Sequence, residues 1–224
     1  WEYAHGQLIN EKYDPYDPFT VQDGHGVYSG KTENISPILI RQGTLYPNNR
    51  MVTVSLMGID TLQKIVAIPV EKLKSEYGEF PVVLGRNMAK SLNVKVGDQI
   101  LLRWRDKNGT FDATEVTVSG IFKTDVSSVD NGKIWMSIQK LWEITGLNNH
   151  ATYFVANEKF DNPNVQEWKF KNQEVLLKDI TDMIAMKKMS SSIMYILLLS
   201  IALLAIFDTQ VLSVFRRQKE IGTY

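Results

Sequence analysis

Residues 189–215 carry a single formal charge, Asp208, and residues 193–207 are apolar throughout except at Ser200. About 20 apolar residues cross a bilayer as a helix. At 1.5 Å per residue, residues 189–215 reach roughly 40 Å. Lys187 and Lys188 flank one end; Arg216, Arg217 and Lys219 flank the other. The competing reading is a buried core helix, but core helices seldom lack a polar face for so long. The pattern therefore predicts an extracytoplasmic domain over 1–188, a transmembrane helix over 189–215 and the start of a cytoplasmic segment over 216–224. Positive flanks alone do not fix the orientation, since long segments cross membranes regardless of charge. Asp208 has two readings: a polar contact inside a helix bundle, or a residue at headgroup level with the apolar span ending near Phe207.

The rest of the chain has the composition of a folded domain. Trp1, Trp104, Trp135, Trp142 and Trp168 are spread along it, which a disordered chain rarely shows. The chain begins at Trp1, not Met, and reads as a piece of a longer protein, with whatever carries it across a membrane lying upstream.

The pattern over this part is α+β, expected as two lobes. Residues 51–57 alternate like a strand and end at Gly58. Residues 80–84 form a short apolar strand closed by Gly85. Residues 86–92 have helical spacing, and Gly97-Asp98 mark a turn before a strand over 99–104. Asp106-Lys107-Asn108-Gly109 predicts a hairpin that pairs 99–104 with 115–121. Residues 133–137 and 152–156 read as strands, and 137–145 as a short helix stopped by Gly146. Residues 10–34 are turn-rich and read as a loop or exposed hairpin. Over 175–186 the apolar residues recur at helical spacing, with nothing to break a helix before the span.

Catalytic chemistry is not visible. Lys and Arg together number 25, as do Asp and Glu, so no nucleic-acid footprint is expected. There is no cysteine, which excludes disulfides, Cys-ligated metals and a Cys nucleophile. His5, His25 and His150 fall in no metal-ligand spacing and are expected at surfaces or turns. The run from Gly85 to Ser91 lacks the glycine a phosphate loop needs before its lysine, so no nucleotide or other cofactor is expected.

Several stretches together resemble one family. Gly58-Ile59-Asp60 is similar to the Gly-Ile-Asp signature of MacB-type periplasmic domains. Val83-Leu84-Gly85, Met88-Ala89, Leu92 and Val94-Lys95-Val96-Gly97-Asp98 resemble that family's central run. Val116-Thr117-Val118-Ser119-Gly120-Ile121-Phe122 resembles its following strand, and Gly6-Gln7-Leu8 the segment after its first membrane helix. Ser213, Arg217 and Glu220-Ile221-Gly222 are similar to the exit from the second membrane helix of FtsX-like permeases. Around residues 85–102 the likeness is closer to the LolC/LolE lipoprotein-releasing branch. Residues 126–132 depart from that branch, because Asn131-Gly132 follow Asp130 where an Asp-His pair is usual.

The resemblance implies a non-catalytic permease subunit of an ABC transporter in a bacterial inner membrane. Its extracytoplasmic domain would couple ATP-driven movement to extraction of cargo, such as a lipoprotein. Implied partners are a cytoplasmic ATPase, a second permease subunit, membrane lipid and a periplasmic cargo carrier. Arg216, Arg217, Glu220, Ile221 and Gly222 would begin the segment leading to the ATPase. A single-pass receptor or adhesin, with the helix only as anchor, is the alternative. A membrane-tethered hydrolase is disfavoured for want of a site.

Overall fold

The computed structural model describes residues 4–161 and 165–221. In chain order its elements are β1 (Gly6–Asn10), β2 (Gly26–Val27), β3 (Ile35–Tyr46), β4 (Val52–Ile59), β5 (Pro81–Gly85), α1 (Arg86–Leu92), β6 (Gln99–Arg105), β7 (Phe111–Phe122), α2 (Ser127–Asp130), β8 (Lys133–Ser137), α3 (Ile138–Thr145), β9 (His150–Ala151), β10 (Tyr153–Ala156), β11 (Trp168–Asn172) and α4 (Gln173–Ile221). They divide into two units, Trp1–Leu176 and Leu177–Tyr224. The first holds every strand; the second is helix.

Nine strands form one sheet in the order β11-β1-β10-β3-β4-β8-β5-β7-β6. β6 then pairs back onto β3, so β3, β4, β8, β5, β7 and β6 close a ring. β3 is the strand that permits this. Its first half pairs with β10 through Ile38, and its second half pairs with β6 from Gly43 onward. Between these points the sheet forks. The expected α+β domain is one forked sheet, in which the ring and the β11-β1-β10 flap share β3. In the flap, β1 lies between β10 and β11, antiparallel to both.

β5, β8 and the second half of β4 are buried on both faces, which explains their nearly unbroken apolar runs; β6 alternates, with Gln99, Leu101 and Arg105 exposed. Leu39, Leu56, Leu84, Leu102, Val116 and Ile134 point into one core, covered by α1 and α3. Ile38, Met57, Ile59, Val83 and Trp135 point to the other side, where Val66, Ile68 and Leu73 cover them. Tyr28, Phe154 and Trp168 form a third cluster, their rings meeting at centroid distances of 5.0 to 5.7 Å. Such tilted and edge-on contacts suit the quadrupoles of aromatic rings.

The expected hairpin is present: β6 and β7 pair antiparallel from Gln99↔Thr117 to Arg105↔Phe111. Its turn is set by Asp106, whose Oδ1 accepts the amides of Asn108 and Thr110. The region 10–34 differs from a hairpin. It holds a helical turn at Pro18–Val21 and the short β2, whose partner is the distant β9. Tyr28 from the same region is a core residue.

Candidate functional site

The family motif residues sit at turns and close approaches of the scaffold. Gly58 faces α3: a Cβ there would meet the Leu141 side chain at 2.8 Å. Ile59 is fully buried, and Asp60 turns the chain by accepting the Leu62 amide at 2.9 Å. Gly97 has φ +97°, a conformation glycine adopts without strain. Beside it the Asp98 carboxylate accepts the Lys95 amide at 2.7 Å. The backbone of Gly97 and Asp98 bonds both sides of Val118 in β7. Gly120 leaves room for the Lys72 side chain. These residues do not converge on one cavity; they fix turns and close approaches.

Gly85 explains the absence of a phosphate loop. The fully buried Asp130 places its carboxylate on the first amides of α1, accepting from Asn87 and Met88 at 3.0–3.1 Å. A side chain at Gly85 would run into that carboxylate. The helix start that could have cradled a phosphate therefore already holds an internal anion, which suits its partial positive charge.

A second constellation sits over the fork in the sheet. Arg41, in β3, is 7% exposed. Its guanidinium donates to the carbonyls of Val21 at 3.2 Å and Gln22 at 3.0 Å, and so ties down the 11–25 loop. His25 at the loop's end meets His150 of β9 with 3.0 Å between Nδ1 atoms. One ring must donate and the other accept, so the pair fits the neutral forms. Burial, then the Arg41 charge, then His150 push the His25 pKa down to about 4. Burial and Arg41 lower His150 as well. His25 and His150 are therefore a half-buried pair, not separate surface residues; His5 is exposed. Sequence reading missed this cluster. Its one local signal was an arginine directly after Ile38-Leu39-Ile40. Among the described residues no group of three or more His, Cys, Asp or Glu could hold a metal.

The second unit is described by α4. The Asn172 side chain accepts the Val175 amide at its start, at 2.9 Å, as an N-cap does. Among the described residues Gln173–Arg217 is the one helix long and apolar enough to cross a membrane, with a mean hydropathy of 2.3 over its most apolar window and nothing buried there. Three of its hydroxyls bond within the helix: Ser192, Ser200 and Thr209 donate to the Lys188, Ile196 and Ala205 carbonyls. Such back-bonding satisfies these three donors within their own helix. Asp208, Arg216 and Arg217 are exposed on the helix. Glu220 and Ile221 belong to its last turn; Gly222 lies outside the described residues.

A family model described as the MacB-like periplasmic core domain matches residues 10–183. The chain belongs to this family. The match runs through the sheet-rich unit of the MacB-like domain and into the first turns of α4. The periplasmic region of MacB from Actinobacillus actinomycetemcomitans is similar at 10% identity, covering 80% of this chain and 94% of that one, with a TM-score of 0.47. The extracellular domain of the noncanonic ABC-type transporter YknZ from Gram-positive bacteria is similar at 14% identity, covering 69% and 83%, with a TM-score of 0.39. No curated protein matches the chain.

Proposed function

We propose that this MacB-like domain and its helix belong to an ABC-transporter permease subunit in a bacterial inner membrane, with residues 1–188 extracytoplasmic and 189–215 in the bilayer. The subunit performs no catalysis; a cytoplasmic ATPase supplies the energy, and a second permease subunit completes the transporter. Arg216, Arg217, Glu220, Ile221 and Gly222 lead toward the ATPase contact. The cargo is extracted from the outer face of the membrane and passed to a periplasmic carrier. Lipoprotein release is the finer reading, supported by the likeness of residues 85–102 to the LolC/LolE branch.

The observation that carries the proposal is the continuity of α4. β11 ends at Asn172 and α4 begins at Gln173, with no linker, and runs helical to Ile221. A rigid helix conveys displacement where a flexible tether does not. Ile180→Pro removes one helical hydrogen bond and clashes with the preceding turn, costing about 3 kcal/mol. In the reconstituted transporter this change is expected to abolish cargo transport while leaving part of the ATP hydrolysis, with Ile180→Ala near normal for both. Normal transport by a folded, assembled Ile180→Pro variant would reject the coupling role and favour the anchored receptor.

A further inference from the structure

The fork in the sheet opens onto a groove of about 290 Å³, roofed by the 11–25 loop. Three guanidinium groups line it, from Arg41, Arg103 and Arg105. Arg103 and Arg105 alternate along β6 and both lie on the Phe111 ring, with their Cζ atoms 3.8 Å and 4.4 Å from its centroid. Stacking on a ring face leaves the N–H edges of a guanidinium free to donate. Neither arginine is in an ion pair among the described residues. The Nε–H of Arg41 is buried without a hydrogen-bond partner. A buried donor of this kind calls for an explanation, because leaving one unpaired is costly.

The carboxylates nearby do not neutralise this charge. Asp106 lines the groove but is turned onto its own hairpin, accepting from Asn108 and Thr110. Asp23 acts on Arg41. Phe111 and the largely exposed Phe19 add apolar surface at the rim. The volume lies at the low end of small-molecule pockets, too small to seat a partner's helix.

We propose that this groove is a binding site for a small organic anion, one carboxylate or phosphate on a short apolar body. The anion is held by the N–H edges of Arg103 and Arg105, and its apolar part lies along the edge of Phe111 and against Phe19. The site does not depend on the transporter reading, and its failure would leave that reading untouched.

Calorimetric titration of the full chain in phosphatidylcholine nanodiscs tests it, with hexyl phosphate, hexanoate, inorganic phosphate and hexylamine as probes. Saturable binding of hexyl phosphate and hexanoate is expected, with weaker binding of inorganic phosphate and none of hexylamine. Changing both Arg103→Gln and Arg105→Gln is expected to weaken the two organic anions about tenfold or more, the scale of a lost charge-assisted pair of hydrogen bonds. Replacing both by lysine should restore part of the affinity. The thermal midpoint of each variant checks its fold. Equal binding of hexylamine, undiminished binding by the double glutamine variant, or no anion binding by the unaltered chain would overturn the assignment. Occupancy by phosphatidic acid placed in the disc, with hexyl phosphate unable to bind from solution, would give the groove to a lipid headgroup and reject the soluble ligand.

Discussion

Asp130 shows how one side chain settles two questions about this fold. Its carboxylate caps α1 and thereby fills the position where a bound phosphate would have to sit. Asp130→Ala would strand the Asn87 and Met88 amides inside the protein, an expected loss of about 3 kcal/mol. Gly85→Ala would displace the same carboxylate and is expected to be at least as damaging. Thermal unfolding of both variants measures this. The histidine pair makes a second prediction, this time about pH. Burial, then the Arg41 charge, then His150 lower the His25 pKa in the folded protein from the ordinary imidazole value of 6.5 to about 4, so between these values the unfolded chain binds more protons. The stability held in the pair is complete above about pH 6.5 and is lost as the pH falls through 4. The melting temperature is expected to fall over that window, and His25→Asn should flatten the slope relative to the unaltered chain. Parallel slopes would remove the pair from the account.

Elements differed in how readable they were. The β6–β7 hairpin was visible because its turn residues and its alternation are local: Asp106 to Gly109 set the reversal and the strands lie on either side. α1, β8 and the C-terminal stop of α3 at Gly146 were legible for the same reason. β3 was not. Leu39 and Ile40 are buried on opposite faces, so the strand shows no alternation, and Pro37 and Gly43 read as breaks. β1 and β11 were missed as strands because each finds its partner far along the chain. The Arg41–His25–His150 cluster assembles from three separated segments, and no spacing rule spans them. α4 was legible in its composition, and that carries its own prediction. Leu198→Asp places a charge mid-span, at an expected insertion cost of about 3 kcal/mol. Alkaline extraction of membranes should then release a large fraction of the variant. Full retention would mean that residues 189–215 are not the membrane-embedded segment.

At the scale of the whole molecule, all three buried clusters lie within the unit Trp1–Leu176. A chain ending at Leu176 is therefore expected to remain monodisperse without detergent and to unfold in one cooperative step. Persistent aggregation of that shorter chain would show that the sheet needs α4 to stay folded. The position of β1 bears on how such a domain comes into being. Gly6 pairs with Ala156 on one side and Asn172 on the other, partners roughly 150 residues away, a separation that slows folding. β1 precedes both of its neighbours in the chain and so waits for each of them during synthesis. Until β11 arrives, Leu8 lacks Trp168 and the outer edge of β1 stands open to other chains. Folding of this domain thus carries a waiting period, during which that strand edge is exposed.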